Sequence, residues 1–406
     1  SSPTPYAGMP ALMRLMASGI EQARLVDFTA FNMKDANLLM RLATVFNICG
    51  DVAMALEVQQ RALKIKQLYH LPAPRLPAHG QAELRLLAIL KPGFMKDNTP
   101  VEFLLEDSSV ALDILYVAPD LPPPTSLPEH DVAFVAIANT EANQALLEQV
   151  RLLMAASARP VLNLPAPACH LERDRVSALL ADAPGLDIPV SRHIGREQLL
   201  RIAGGEGSMA ACLEDGDFPV IARPFGSQAG LGLVKLASPA DIPAYLGTRP
   251  ENVFCISRFV DYRSPDGAYR KCRIALIDGR PLVCHFAISP HWMVHYQSAG
   301  MAENAEKRQE EADFMMRAEV DFCRRHQQAL AAVAERLGYD YVVIDCAETA
   351  EGKLLFFEAD NIAIVHAMDD AALFPYKRVQ MDKVFLAFRQ MLGAAAQQPA
   401  RRRPGG

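Results

Sequence analysis

The sequence predicts a multidomain protein of mixed α/β and α+β class, with an N-terminal helical region, a small Rossmann-like domain and a larger two-lobed module. The chain has 406 residues, which exceeds the roughly 250 to 300 residues at which one hydrophobic core stops growing. Apolar residues recur at helical spacing near the N-terminus, apolar strands then alternate with helices, and a glycine-rich loop later interrupts a mixed pattern. These patterns place the boundaries at 1–80, 81–165 and 166–394, with a disordered tail at 395–406.

Composition and charge argue against several functional classes. The formal net charge is −6 and the isoelectric point is about 6.0, whereas a nucleic-acid-binding protein needs a face rich in Lys and Arg. The arginines at 401–403 are predicted to form a solvated tail. The eight cysteines show no C-x-x-C or zinc spacing, which favours a reducing compartment. Because neither a secretory signal nor an apolar stretch of about 18 residues occurs, we expect a cytoplasmic protein without a membrane partner.

The segment 39–65 resembles one tetratricopeptide repeat. Such a repeat combines large packing residues with small residues that let two helices approach closely. The positions that match are Leu39, Leu42, Ala43, Phe46, Gly50, Ala55 and Ala62. Because a solenoid needs about three repeats, this single one predicts a helical cap on the next domain rather than a peptide-binding superhelix. Pairing of two chains through these helices into a homodimer is compatible with the sequence.

A proline-rich linker at 71–77 leads into alternating strands and helices. Such alternation predicts a parallel sheet with crossover helices. The predicted strands are 84–90, 113–117, 131–138 and 160–164, and the predicted helices are 100–106 and 142–154. Since no G-x-G-x-x-G fingerprint occurs, dinucleotide binding is not expected.

A glycine-rich loop follows an apolar strand that ends in Arg223. Its glycines at 226, 230 and 232, with Ser227 between them, allow backbone amides to fold over an anion without side-chain obstruction. This order of strand, cation and loop predicts a phosphate-binding cradle. The alternative is a tight hairpin, which also uses glycines.

Acidic residues end two apolar strands near the C-terminus. Asp345 follows the strand 341–344, while Glu358 and Asp360 end the strand that begins at 353, and a turn at 348–352 joins the two as a hairpin. Asp345 and Glu358 are therefore expected to lie close together, with Glu358 and Asp360 on one face. Clustered carboxylates repel unless a cation compensates them, and oxygen ligands suit Mg²⁺. The alternative is that these acids only end strands in solvent.

Together these features resemble the ATP-grasp superfamily of ligases over about 171–391. The resemblance implies a two-lobed ATP-grasp module preceded by the small pre-ATP-grasp domain. The central lobe is then expected to hold the triphosphate with Arg223, Gly226, Ser227, Gly230 and Gly232, and the C-terminal lobe to hold Mg²⁺ with Asp345, Glu358 and Asp360. This chain departs from the family in carrying arginine at 223 where lysine is usual, and aspartate at 360 where asparagine is usual.

Three further matches extend the resemblance. Arg175, near the start of a helix, corresponds to a basic residue that reaches the nucleotide. The strand 253–260 resembles the hinge strand along adenine. Its nucleotide contacts are predicted to be Ser257, Arg258, Phe259, Val260 and Asp261. In the strand 269–279, Arg273 is similar to an arginine that faces the γ-phosphate, with Lys271 and Arg270 as second choices. A plain surface cluster before a hairpin is the alternative for these three.

A histidine-rich segment follows that strand and includes His285, His291 and His295 together with Trp292. We expect it to line the substrate pocket. His291 and His295 have the i, i+4 spacing that could bind zinc on a helix, but a third ligand is not obvious, so packing or substrate contacts are the favoured interpretation. The charge-rich stretch 303–317 is expected to be a solvated helix face or a mobile lid.

The resemblance implies an ATP- and Mg²⁺-dependent carboxylate-amine (or thiol) ligase acting on small-molecule or peptide substrates. The γ-phosphoryl group passes to a substrate carboxylate, and a nucleophile attacks the acyl phosphate with release of ADP and phosphate. Two alternatives stay open. One is a small-molecule kinase on the same scaffold, and the other is a non-catalytic nucleotide-binding scaffold protein.

Overall fold

The computed structural model describes residues 8–18, 34–77, 80–155, 157–166, 171–227 and 230–398. Within these ranges the chain forms a mixed α/β structure with three β-sheets. The α-helices are α1 (Met9–Ala17), α2 (Ala36–Ile48), α3 (Val52–Ile65), α4 (Val101–Leu104), α5 (Gln144–Ala155), α6 (Arg173–Leu180), α7 (Arg196–Ala203), α8 (Ile242–Gly247), α9 (Ala305–Arg317), α10 (Phe322–Arg325), α11 (Gln327–Leu337) and α12 (Lys377–Ala396). The strands are β1 (Leu68–Leu71), β2 (Leu84–Leu90), β3 (Val110–Tyr116), β4 (Val132–Val135), β5 (Val161–Leu162), β6 (Leu186–Asp187), β7 (Arg192–Gly195), β8 (Val220–Pro224), β9 (Val234–Leu236), β10 (Val253–Arg258), β11 (Tyr269–Ile277), β12 (Arg280–Ser289), β13 (Tyr341–Glu348) and β14 (Leu354–Asp360).

Two packed helices occupy the segment that resembles a tetratricopeptide repeat. Gly50 between them has a φ of +87°, a conformation that favours glycine. Asp35 caps α2 by accepting from the backbone amide of Asn37 at 2.9 Å, and Asp51 caps α3 by accepting from that of Met54 at 3.1 Å. The two helices pack their apolar faces onto the first sheet. Their assignment as a tetratricopeptide repeat stays a prediction.

The first sheet has the strand order β1-β3-β2-β4-β5, and its members are parallel except for β1. The edge strand β1 corrects the sequence interpretation, which assigned 1–80 to a helical region with a proline-rich linker at 71–77. Tyr69 is fully buried in this strand and pairs with Ile114 of β3. The packing of the Tyr69 ring against β3 therefore decides that this segment is a strand, although its apolar spacing is also compatible with a helix.

The second sheet, β7-β10-β8-β9, is antiparallel throughout. Helices α7 and α8 cover one of its faces, where Val220, Ala222 and Phe254 are buried. Alternation along the strands directs Arg223 and Lys235 to the opposite, open face.

The third sheet has the order β12-β11-β13-β14-β6, antiparallel except where β6 joins β14. One face packs on α9 and α11, and the other packs on α12 and the first sheet. Asn361, just after β14, ties the two sheets together. Its Nδ2 donates to the carbonyl of Ile137 at 2.8 Å, and its carbonyl accepts from the Thr99 hydroxyl at 2.6 Å.

The C-terminal helix α12 runs two residues into the predicted tail, while 399–406 lies outside the described residues. None of the described helices combines the length and apolar character needed to cross a bilayer.

Candidate active site

A row of four polar side chains crosses the third sheet. In the strand register His285 is opposite Arg273, Arg273 is opposite Asp345, and Asp345 is opposite Glu358. Residues directly opposite each other in antiparallel strands project from the same face. The hairpin that joins Asp345 to Glu358 was predicted from the sequence, and the structure contains it. We call these four residues, together with Lys271 two positions before Arg273, the charged row.

Asp345 lies at the centre of the charged row with only 2% of its side chain exposed. Its carboxylate is 2.7 Å from Nζ of Lys271, 2.8 Å from Nε of Arg273 and 3.1 Å from a terminal nitrogen of that arginine. Burial alone would raise the pKa of Asp345, but the two cations lower it well below its usual range. The carboxylate is therefore ionised and fixes both cations in one orientation.

Glu358 and Asp360 extend this acidic edge along β14. Glu358 accepts a hydrogen bond from Arg173, whereas Asp360 accepts at 2.8 Å from the backbone amide of Ile362. Burial, with the nearby charge of Glu358, raises the pKa of Asp360 to about 6. The negative charges around Asp360 are therefore only partly balanced by nearby cations. A divalent cation, which prefers oxygen ligands, would balance them.

The predicted Mg²⁺ ligands suit the ion in chemistry, since all three are oxygen donors. Within the described ranges, however, no three His, Cys, Asp or Glu side chains converge closely enough to form a metal site. Asp345 faces Lys271 and Arg273 instead of the other two carboxylates. The Mg²⁺ ligand set stays a prediction.

The glycine-rich loop begins where β8 ends. Arg223, which is 8% exposed, donates from Nε to the hydroxyl of Ser227 at 3.0 Å and from a terminal nitrogen to the carbonyl of that residue. Gly226, Gly230 and Gly232 have φ values of +72°, +71° and +69°, which side chains rarely tolerate. Burial and the charge of Arg173 lower the pKa of Arg223 to about 10. Positions 228 and 229 lie outside the described residues.

The glycine-rich loop and the charged row both lie close to His295, and we call the region that they border the cleft. A Cβ atom added at Gly230 would collide with Nε2 of His295. His295 also interacts electrostatically with Lys271, Asp345 and Glu358 from the row and with Arg223 from the loop. The glycine-rich loop and the charged row, which are the two halves of the predicted phosphate site, are therefore both close to His295.

His285 and His295 carry the buried ring nitrogens of this cleft. Nδ1 of His285 and Nε2 of His295 find no hydrogen-bond partner in the part of the chain that the structure describes. Burial lowers the pKa of both histidines, so both rings are neutral near pH 7. Such unpaired groups in a cleft are available to a ligand.

The structure corrects the histidine-based zinc alternative. Residues 290–293 form bends and 294–295 belong to no regular element, so His291 and His295 do not share a helix face. The carbonyl of Trp292 accepts from the Tyr262 hydroxyl at 2.5 Å. His291 is exposed to solvent.

Two of the predicted arginines point away from the cleft. Arg175 is 66% exposed and lies 3.9 Å from Asp174, while Arg173, two residues earlier, contacts Glu358. Arg270 lies on the opposite face of β11 from Arg273 and bonds to Asp266 and Glu310. The cations that contact the carboxylates of the charged row are thus Arg173, Lys271 and Arg273.

The predicted adenine contacts are only partly free. Arg258 pairs with Asp187 and with Asp215, and Asp261 pairs with Arg263 at 2.5 Å. Val260 packs against the apolar core of the third sheet. Ser257 belongs to the open face of the second sheet, opposite Ile221 in register. Ser257 therefore differs from the other two polar residues of this prediction, Arg258 and Asp261, whose side chains are held in ion pairs.

The ring of Phe259 forms the remaining part of this region. Nζ of Lys235 is 3.7 Å from its centroid, and Trp292 meets it edge to face with centroids 5.6 Å apart. Lys235 was not predicted as a site residue. Its signal in the sequence is alternation along β9, which directs it to the same open face as Arg223.

Comparisons with known proteins give similarities to solved structures only. No family model matches the sequence, and no curated protein matches it. The VanG D-Ala:D-Ser ligase from Enterococcus faecalis is 13% identical, with 77% of this chain and 98% of that chain covered and a TM-score of 0.44. The RimK domain protein ATP-grasp from Sphaerobacter thermophilus DSM 20745 is 15% identical, with 76% and 99% covered and a TM-score of 0.41. The D-alanine–D-alanine ligase from Bacillus anthracis, complexed with ATP, is 12% identical, with 78% and 99% covered and a TM-score of 0.43.

One of these three proteins is named as ATP-grasp, the family that the sequence resembles, and the other two are named as ligases. Because all three TM-scores are below 0.5, the function of this chain has to be inferred from its own site.

Proposed function

We propose that this protein is an ATP-dependent ligase of the ATP-grasp type. It activates a substrate carboxylate as an acyl phosphate, which an amine or thiol then attacks, with release of ADP and phosphate. The observation that carries the proposal is the charged row, in which Asp345 holds Lys271 and Arg273, together with the glycine-rich loop anchored by Arg223, whose charge interacts with that of Glu358 in the row. We infer an amino acid or peptide substrate from the family resemblance.

The cations of the cleft suit the binding of a triphosphate. Arg173 and Arg223 are close enough for their charges to interact, and Lys271 and Arg273 both contact Asp345. Phosphoryl transfer requires little covalent chemistry from the protein and depends on positioning and on neutralising charge. Four cations that converge on one cleft supply that neutralisation. Mg²⁺, if held by Asp345, Glu358 and Asp360, would further neutralise the transferring phosphoryl group.

We infer the chemical steps from the family resemblance. A substrate carboxylate oxygen forms a bond to the γ-phosphorus while the bond to the β,γ-bridging oxygen breaks, and ADP leaves. An amine then attacks the acyl carbon, phosphate departs and the amine loses a proton. Arg273 is held by Asp345 in position to bind the phosphoryl oxygens, and the neutral rings of His285 and His295 are available to bind the acceptor. No step needs a protein nucleophile.

The function is tested by a screen of amino acids and short peptides for ADP formation. We expect ADP to form at a substantial rate only when a carboxylate and a nucleophile are both present. Glu358→Ala should remove this activity, and Glu351→Ala, in the exposed β13–β14 turn, should keep it. ADP formed with one hydroxyl-bearing substrate, together with a stable phosphorylated product, would show a kinase instead. Full turnover by Glu358→Ala would show that the predicted Mg²⁺ ligands are wrong.

A substitution in the loop tests the contact between the loop and the charged row. Gly230→Ala should raise the KM for ATP about tenfold or more, because an added Cβ meets His295 and overpacking of this kind costs about 1–3 kcal/mol. Gly267→Ala is the matched control, since Gly267 lies outside the predicted phosphate site, also has a positive φ of +87°, and has no atom within 4 Å of an added Cβ. Equal KM values for the two variants would contradict the placement of the loop against His295.

A further inference from the structure

A buried carboxylate outside the charged row joins four parts of the C-terminal lobe. Glu311, on α9, has 0% of its surface exposed. Its Oε2 accepts from the hydroxyls of Tyr296 at 2.7 Å and Tyr376 at 2.6 Å, and its Oε1 accepts from the backbone amide of Phe286 at 3.0 Å. Nζ of Lys377 lies 3.7 Å from Oε1. The residue therefore links α9, β12, the start of α12 and the segment that follows β12.

Such a carboxylate is costly to bury unless its oxygens are fully bonded. Here three hydrogen bonds and one cation meet that requirement. Burial raises the pKa of Tyr296 and of Tyr376, so both hydroxyls stay protonated and act as donors. A fully satisfied buried network fixes its members in one arrangement.

The segment 290–296, which we call the strap, is one of the members that Glu311 fixes. Near one end Trp292 packs on Phe259, after the hinge strand. Near the other end His295 lies against Gly230 of the glycine-rich loop. Tyr296 directly follows His295 and bonds to Glu311. The strap therefore connects the predicted adenine region with the predicted phosphate region.

We propose that Glu311 is a positioning residue for nucleotide binding, acting through Tyr296 to hold the strap against the glycine-rich loop. This inference rests on the proposed function for the identity of the nucleotide. The position of the strap itself depends only on contacts within the chain. Glu311 touches neither the charged row nor the loop in the contacts described above, so its effect is transmitted through the strap.

Two tyrosines provide a matched pair of variants. Tyr296 and Tyr376 donate to the same oxygen of Glu311, at 2.7 and 2.6 Å. Tyr296→Phe removes the hydroxyl on the strap side and keeps the ring that packs on His285, with centroids 4.6 Å apart. Tyr376→Phe removes the equivalent hydrogen bond on the α12 side. Each variant leaves Glu311 in place with one donor fewer.

The sequence contains one tryptophan, and it lies in the strap, so its fluorescence reports on the strap without any assay of activity. We expect Tyr296→Phe to raise the acrylamide quenching constant of Trp292 at least about twofold and to weaken Mg-ATP binding about tenfold, the factor that corresponds to about 1.4 kcal/mol. In Tyr376→Phe, the quenching constant and the affinity for Mg-ATP should both stay within about twofold of wild type. The thermal midpoints of the two variants should fall by similar amounts. In turnover assays the KM for ATP, rather than kcat, should change in Tyr296→Phe.

Two results would overturn the inference. One is equal weakening of ATP binding by both variants, which would make Glu311 a general structural residue. The other is a Tyr296→Phe protein whose quenching and ATP affinity are those of wild type. If the wild-type protein binds no ATP, the proposed function is wrong, and the difference in quenching between the two variants still decides whether Glu311 positions the strap.

Discussion

Replacing Arg273 with methionine is expected to lower kcat by on the order of 10³-fold, the lower end of the range for arginines that stabilise a transferring phosphoryl group. Asp345 holds this guanidinium through two hydrogen bonds at 2.8 and 3.1 Å, so the cation is oriented before substrate binds and little reorganisation is needed. Steady-state kinetics with the substrate pair found in the ADP screen would measure the change.

Arg270→Met is the matched control for this effect. Arg270 is three residues away in the same strand but faces the other side of the sheet, where it bonds to Asp266 and Glu310. We expect the kcat of this variant to stay within about threefold of wild type. A residue lowers kcat and kcat/KM equally when it contacts the transition state, and Arg270 faces away from the predicted site. If both variants lost activity equally, Arg273 would have no special role in the cleft.

Asp345→Ala is expected to lower the free energy of unfolding by about 3–5 kcal/mol, the usual cost of removing one partner from a buried ion pair. The substitution leaves Lys271 and Arg273, whose side chains are 13% and 25% exposed, facing each other without the carboxylate between them. Urea denaturation followed by circular dichroism would measure the loss.

Asp266→Ala is the control for stability. Asp266 also pairs with an arginine of β11, but 55% of its side chain is exposed, and exposed ion pairs contribute only about 0–1 kcal/mol. A cost for Asp345→Ala as small as that for Asp266→Ala would show that the centre of the charged row is solvated. The account of the site as a preorganised cation pair would then be wrong.

The glycine-rich loop and the hairpin of acids could be predicted because they depend on local signals. Apolar runs that end in Arg223, Asp345 and Glu358 set the strands, and glycine-containing turns set their connections. The hairpin predicts that the two acids lie close together, but the pairing of Asp345 with Glu358 also depends on a register shift between Asp345 and Cys346. The loop and the hairpin needed no knowledge of the rest of the chain, whereas that shift was not predicted.

Features that depend on packing between elements were not predictable in the same way. Arg173 and Arg175 open the same helix, and which of them reaches Glu358 depends on how α6 is rotated against the third sheet. Glu311 belongs to a charge-rich stretch whose sequence indicates a solvated face or a lid. Yet it is fully buried, because Tyr296, Tyr376 and Lys377 come to it from distant parts of the chain. Sequence spacing carries no signal for such contacts.

We propose that the glycine-rich loop and the charged row bind one nucleoside triphosphate between them. Isothermal titration calorimetry of Mg-ATP with the wild-type protein, Arg223→Met and Glu358→Ala measures this binding, since one variant alters the loop strand and the other alters the row. We predict saturable binding by the wild type that weakens at least about tenfold in each variant. Absence of binding by the wild type, or equal affinity in all three proteins, would contradict the claim.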